Sequence, residues 1–180
     1  MTLIEIFIIG VSLSCDAFAV AFSKGISINK VLFYHPLIVG FYFGLFQGVM
    51  PCLGYIFSSS LSIYLIRYSH LIGFIILFII GINMYREETP EGNELLDFKT
   101  MLPLAIGTSI DALAVGLTLP FMVESILIPA LVIGTTTFIL SILAVIFASK
   151  IKDKINSSPQ KAGGIILILI ALKMLLVFLF

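Results

Sequence analysis

Apolar residues run in six long stretches along the chain, and short polar segments separate them. Each stretch reaches the roughly 17–25 residues that a membrane-spanning helix needs. We therefore predict an all-α membrane protein with six transmembrane helices. The predicted spans are Leu3–Phe22, Leu37–Phe57, Leu65–Tyr85, Leu102–Leu119, Ile126–Ser149 and Ala162–Phe180.

The composition excludes a water-soluble domain. Of the 180 residues, 60% are apolar and only 11% are charged, whereas a soluble surface needs far more charge. The formal net charge is zero, so no basic face predicts nucleic-acid binding. Glu5 stands where a signal peptide would have a basic segment, so we expect the first stretch to be a retained helix. Cys15 and Cys52 lie in apolar stretches, and we expect reduced thiols.

An internal repeat relates the first and fourth spans. Ser14–Val20 and Ser109–Val115 agree at five of seven positions, including Asp16 and Asp111. The second and fifth spans each begin with an apolar lead into a glycine, at Gly40 and Gly134. Because each half has three spans, the second half must enter the membrane from the opposite side. We predict two inverted-topology three-helix repeats, 1–85 and 102–180, joined by an acidic cytoplasmic linker, 86–101.

The distribution of basic residues predicts the orientation. Basic residues concentrate after the odd-numbered spans, and Arg67 is the exception on the other side. By the positive-inside rule, the loops after the odd-numbered spans are cytoplasmic and both termini face outward. The residues behind this prediction are Lys24, Lys30, Arg86, Lys99, Lys150, Lys152, Lys154 and Lys161.

The linker Arg86–Lys99 is the most polar stretch. It is either a solvated connection between the halves or an acidic antechamber that concentrates cations. Its acidic residues are Glu87, Glu88, Glu91, Glu94 and Asp97.

The repeated aspartates are the main candidates for function. A carboxylate near the bilayer centre costs about 2.5–3.5 kcal/mol on insertion scales, so acids in membrane helices usually mark ion paths. Two carboxylates held together would be neutralised by a divalent cation or by protons. The alternative is that each aspartate hydrogen-bonds a neighbouring helix and only holds the bundle together.

Lys173 is a third charge inside a predicted span, and the aspartates are its candidate partners. It could compensate Asp16 and Asp111 when the site is empty. It could equally be a snorkelling lysine or part of a fixed structural pair.

Neutral oxygen donors surround the motifs. Ser12 and Thr108 precede the aspartates by four and three residues and share their helical faces. Gln47 and Asn83 are costly in a membrane, which favours a function for them. Such ligands suit magnesium, calcium or manganese. Further hydroxyls in the fifth span are Thr135, Thr136, Thr137 and Ser141.

Softer donors lie near Pro51. Met50 is a candidate ligand whose thioether would favour manganese or iron over magnesium. Pro51 frees a helical carbonyl that could face the same site. Packing is the alternative role for Met50 and Cys52.

At these residues the chain resembles the MntP-type manganese efflux pump family of bacterial inner membranes. The resemblance implies export of Mn²⁺ from the cytoplasm, with Asp16 and Asp111 essential. More distant relatives, in the lysine-exporter group, move other ions or amino acids. The matching segments are Ser14–Val20, Lys24-Gly25, Gly44–Gln47, Met50-Pro51, Gly54, Thr108–Gly116 and Gly163-Gly164.

Our leading interpretation is a secondary exporter of divalent cations in the plasma membrane, active in metal homeostasis and coupled to protons. We expect no enzymatic activity and no cofactor, with Mn²⁺ as cargo, membrane lipid as surroundings, and a monomer or homodimer. The alternatives are an exporter of another cation or small solute within the same superfamily, an intramembrane aspartyl protease, a passive channel and a small membrane chaperone.

Overall fold

The described part of the chain consists of helices and short connections. The computed structural model describes residues 1–28, 31–86, 96–152 and 159–179, and the side chains of these residues apart from 59–70, 159, 160 and 177. A 3₁₀ turn, Leu119–Phe121, follows the third helix. The helices are α1 (Leu3–Ser27), α2 (Tyr34–Arg86), α3 (Phe98–Thr118), α4 (Leu127–Ile151) and α5 (Pro159–Leu179).

Several helical segments can cross a membrane. Within the described residues, α1, Tyr34–Ser58, Phe98–Phe121 and α4 are long and apolar enough, and Leu71–Arg86 is a shorter apolar segment. Large apolar side chains such as Ile4 and Leu169 are exposed on the outer faces, where lipid can cover them without the cost of exposure to water. The protein is an all-α integral membrane protein, as the sequence predicts.

Helix α2 is longer than any single span. Its 53 residues would extend about 80 Å if straight, far beyond the roughly 30 Å hydrocarbon core. We call Tyr34–Ser58 its first arm and Leu71–Arg86 its second arm. The sequence predicted two separate helices here, ending at Phe57 and beginning at Leu65, whereas the structure has helical conformation throughout.

The directions of the helices follow from their contacts. Helices α1 and α4 are parallel, because Gly10 lies beside Ile133 and Gly25 beside Ala148. Helix α5 is antiparallel to α1: the Ser23 hydroxyl donates to a carbonyl near the beginning of α5, and Asp16 pairs with a lysine near its end.

The two arms of α2 run in opposite directions. Gly40 lies beside Ile142 and Gly48 beside Gly134, so the first arm is antiparallel to α4. The second arm is antiparallel to α5, since Gly73 contacts Met174 and Gly81 contacts Gly164. Because α4 and α5 themselves run in opposite directions, the chain reverses between residues 58 and 71.

Basic residues gather at one end of the bundle. Lys152 donates to the carbonyl of Ile28, 3.0 Å away, and Gly164 lies beside Tyr85, next to Arg86. At the opposite end, the N-terminal amine contacts Met122 and Tyr55 contacts Glu124. The orientation relative to the cell remains a prediction.

One basic residue lies elsewhere than the sequence predicted, and several charged side chains lie outside the described part of the chain. Lys24 was predicted in the loop after the first span, but α1 continues to Ser27 and buries Lys24 completely. Some charged residues used to predict the orientation and the acidic linker have no described side chain. They are Lys30, Arg67, Glu87, Glu88, Glu91, Glu94 and Lys154.

Glycines allow the helices to approach closely. A Cβ atom on Gly44 would lie 2.9 Å from the carbonyl oxygen of Gly134, and one on Gly134 would lie 3.0 Å from that of Gly44. Gly54 and Gly116 make a similar contact between the first arm of α2 and α3. Close packing of this kind replaces the hydrophobic effect as the force between helices in lipid.

Candidate cation-binding site

Asp16 forms an ion pair with Lys173 between α1 and α5. The Lys173 ammonium donates to Asp16 Oδ1 at 2.5 Å, and the Asp16 side chain is 17% exposed while that of Lys173 is 59% exposed. The pair joins the middle of α1 to the last two turns of α5. Lys173 therefore has the aspartate partner that the sequence predicted.

Asp111 lies close enough to these charges to interact with them. It is partly buried in α3, and its Oδ1 accepts a hydrogen bond from the Ala112 amide at 2.8 Å. Its carboxylate interacts electrostatically with both Asp16 and Lys173. Asp111 therefore lies in the same region as the ion pair, although the three charges belong to three different helices.

Gln47 brings unused oxygen atoms to the same region. Its side chain is fully buried, and Nε2 donates to the carbonyl of Leu13 at 3.1 Å. The other amide atom, Oε1, has no hydrogen-bond partner. Pro51 lacks the N–H that would normally bond to the Gln47 carbonyl in a helix. Gln47 thus has two acceptor oxygens without their usual donors.

These residues share a similar depth along α1. Leu13, which accepts from Gln47, is three residues before Asp16, or about 4.5 Å along the helix axis. Ala112, the neighbour of Asp111, belongs to the same apolar cluster as Leu13. The members of this cluster are Leu13, Ala112 and Ile133, with Ile9, Met50 and Val115 packed against them.

Met50 and Thr108 are near the site but are already engaged. The Met50 side chain packs against the cluster around Leu13. The buried Thr108 hydroxyl bonds to carbonyls of its own helix, at 3.0 Å from that of Leu104. Each would have to change its contacts to serve as a ligand.

Ser12 and Asn83 do not join the site in this conformation. The Ser12 side chain is exposed on α1. Asn83 is also exposed, and the adjacent Met84 lies beside Gly163. Because Lys173 is ten residues beyond Gly163 on α5, Asn83 is about 15 Å from the level of the ion pair.

Two buried hydroxyls are more prominent in the structure than in the sequence. Ser14 and Thr137 share a hydrogen bond of 2.8 Å between α1 and α4. Ser141 is fully buried, and its Oγ has no partner. Spacing relative to Asp16 did not point to Ser14, and the sequence had named Thr137 and Ser141 only among the hydroxyls of the fifth span.

An all-helical integral membrane protein with two acids and a lysine in its apolar helices belongs, by these features, with ion-translocating membrane proteins. Comparison with known proteins agrees. A family described as "Putative manganese efflux pump" matches residues 30–175. The chain belongs to this family, MntP.

Individual relatives cover nearly the whole chain. A protein from Desulfitobacterium hafniense is 41% identical over 176 residues, covering 96% of this chain and 94% of its own length. One from Mannheimia succiniciproducens is 38% identical, with coverage of 98% and 97%. One from the methanogen Methanosphaera stadtmanae is 36% identical, with coverage of 98% and 100%. Each is called "Putative manganese efflux pump MntP". No solved structure matches the chain.

Proposed function

We propose that the protein is a secondary active exporter of divalent metal cations, with Mn²⁺ as its main cargo. The cation binds between Asp16 and Asp111 near the membrane midplane. The observation that carries this proposal is the ion pair of Asp16 and Lys173 between α1 and α5, with the repeated acid Asp111 close enough to interact with both charges. The names of the relatives support manganese as the cargo.

The donor set suits a hard or borderline cation. Mn²⁺ and Mg²⁺ prefer about six ligands, mainly oxygens. Two carboxylates neutralise the charge of a divalent ion, and Oε1 and the carbonyl of Gln47 are available as neutral donors. The Met50 thioether packs against the cluster around Leu13, and as a ligand it would favour Mn²⁺ over Mg²⁺. Ser12, Thr108 and Asn83 stay predictions, because each would need to move.

Lys173 acts in this scheme as a tethered competitor of the cargo. In the present conformation its ammonium occupies an Asp16 oxygen that a cation would need. Cargo binding displaces Lys173, and cargo release allows the ion pair to form again. A proton on the other carboxylate can neutralise the empty site, which would couple cation export to the proton gradient.

We further propose that 1–85 and 102–180 are inverted repeats joined by the linker 86–101, and that they rock about the aspartate pair. The glycine crossing between the first arm of α2 and α4 supports this. We take Gly40 and Gly134 as corresponding positions of the two halves, so that Gly48 corresponds to Ile142, each eight residues further along. Gly40 contacts Ile142, and Gly134 contacts Gly48, so the same contact is made from each half. This symmetry is what an inverted repeat predicts.

The proposed orientation follows the positive-inside rule. The end of the bundle that holds Lys152 and Arg86 is assigned to the cytoplasm. Both termini then face outward across the plasma membrane. Monomer and homodimer are both compatible with this scheme.

Uptake of Mn²⁺ into everted vesicles, with a pH probe inside, tests the transport proposal. We expect saturable uptake that is accompanied by proton movement and lost in Asp16→Asn and Asp111→Asn. Asp97→Asn is the matched control, because Asp97 is exposed and makes no side-chain cap bond. Wild-type uptake by Asp16→Asn or Asp111→Asn would remove that residue from the site. Uptake that does not saturate would indicate a channel.

A further inference from the structure

Ser141 leaves an easily available hydrogen bond unmade. In a helix, a serine or threonine hydroxyl commonly bonds to the carbonyl three or four residues earlier. The buried hydroxyls of Ser27, Thr108 and Ser109 all do so. The hydroxyl of Ser141 is equally buried but has no partner. It is therefore available to a group that is not part of the protein.

The contacts between α1 and α4 place Ser141 close to the depth of Asp16. The two helices are parallel, and Ser14 bonds to Thr137 across them. Four residues further along both helices, Ser141 is level with Phe18. That level is two residues past Asp16, or about 3 Å along the axis.

Ser141 also occupies the position that corresponds to Gln47 in the other half of the chain. Gln47 is seven residues after Gly40, and Ser141 is seven residues after Gly134. Both side chains are fully buried, and each has an oxygen without a partner. In the described part of the chain, the other unpartnered buried side-chain atom is Nε2 of His35, which lies about 18 Å before Gln47 along α2.

We infer that Ser141 supplies a neutral oxygen to the transported divalent cation, as the second-half counterpart of Gln47. This inference rests on the proposed transport function and adds a ligand to its site. Along α1, the level of Leu13, to which Gln47 bonds, is before Asp16, and the level of Ser141 is after it. The two halves would thus each supply one uncharged oxygen close to the depth of Asp16, which matches the ligand preference of Mn²⁺ and Mg²⁺.

The experiment measures binding and stability separately on the full-length protein in detergent. The electron paramagnetic resonance signal of free Mn²⁺ gives the dissociation constant, and thermal unfolding is followed with and without Mn²⁺. The variants are Ser141→Ala and Ser141→Thr, which keeps the hydroxyl. Ser149→Ala is the matched control on α4, because Ser149 is only partly buried and its hydroxyl already bonds to the carbonyl of Ile146 at 2.8 Å.

We expect Ser141→Ala to weaken Mn²⁺ binding about tenfold, which is the effect of about 1.4 kcal/mol. Its melting temperature without Mn²⁺ should equal or exceed that of the wild type, because an unpaired buried hydroxyl is removed. Ser141→Thr should bind within about threefold of the wild type, and Ser149→Ala should be unchanged.

A structural role for Ser141 would give the opposite pattern. If Ser141→Ala is less stable without Mn²⁺, or fails to fold, the inference is overturned, since a hydroxyl without a partner should be dispensable for folding. Unchanged Mn²⁺ affinity in Ser141→Ala overturns it as well. An unchanged affinity in Ser141→Ala does not affect the transport proposal, provided that the wild type moves Mn²⁺ and Asp16→Asn does not. A wild type that neither binds nor moves Mn²⁺ overturns both.

Discussion

Replacing Lys173 with methionine is the most direct test of the ion pair. The substitution keeps the apolar stem and removes the charge that lies 2.5 Å from Asp16 Oδ1. Asp16 then loses the group that competes with a cation for its oxygen. If Lys173 is a tethered competitor, Lys173→Met should bind Mn²⁺ more tightly than the wild type.

The size of the effect follows from the geometry. Two unit charges 2.5 Å apart attract by about 2 kcal/mol in a water-like medium and by about 7 kcal/mol at an effective dielectric constant of about 20. Lys173 is 59% exposed and lies six residues before the end of α5, near enough for its ammonium to reach toward the interface. Solvent screening and side-chain entropy therefore favour the lower value. We expect about 1–2 kcal/mol, which is a 5- to 30-fold tighter dissociation constant.

The assay combines Mn²⁺ binding to the purified protein with transport in proteoliposomes. Lys173→Met should show the lower dissociation constant together with a slower maximal rate, because release of the cargo no longer has a competing ammonium. Lys173→Arg keeps the charge and should stay near the wild type in affinity. Lys150→Met, at the exposed end of α4, controls for the loss of one positive charge.

Two results would refute this reasoning. Equal Mn²⁺ affinity in Lys173→Met and the wild type would show that the ammonium does not compete with the cargo. Lower stability with unchanged binding and transport would assign the pair a structural role.

Three further predictions concern packing and ligands. Gly54→Ala should lower the melting temperature, because a Cβ there meets the backbone of α3. Gly10→Ala should be tolerated, because the atom nearest to its Cβ is 3.4 Å away. Equal melting temperatures of the two variants would contradict this. Ser14→Ala loses the bond to Thr137 and should cost about 1 kcal/mol of stability without changing Mn²⁺ affinity; an altered affinity would instead make Ser14 a ligand. Gln47→Leu should weaken Mn²⁺ binding about tenfold, the effect of about 1.4 kcal/mol; unchanged binding would remove Gln47 from the site.

The class of the protein and most helix positions were predictable from the sequence. The length of an apolar run is set by the thickness of the bilayer, so hydropathy locates a span without knowledge of its neighbours. The predicted span Ile126–Ser149 agrees with α4, Leu127–Ile151, to within two residues. The largest difference is in α2, where two separate helices were predicted and the structure has helical conformation throughout. The two predicted spans nevertheless correspond to its two arms, because the arms run in opposite directions as two separate spans would.

The charged members of the candidate site were also predictable. Burying Asp16, Asp111 or Lys173 in lipid is costly wherever the helices pack, so each charge needs a partner, and the repeat links the two acids. The neutral members were harder to predict. Of the oxygens proposed as ligands, Gln47 lies at the site, while Ser12 and Asn83 are exposed.

Composition and spacing alone therefore determined that this chain is a helical membrane protein with two related acids and a lysine inside it. Tertiary structure decided that α2 folds back on itself and that Lys173 pairs with Asp16. It also decided which uncharged oxygens are buried beside the acids. The reason is physical: spacing along a helix sets the angles between its side chains, but only the crossing of neighbouring helices decides which of those angles points inward.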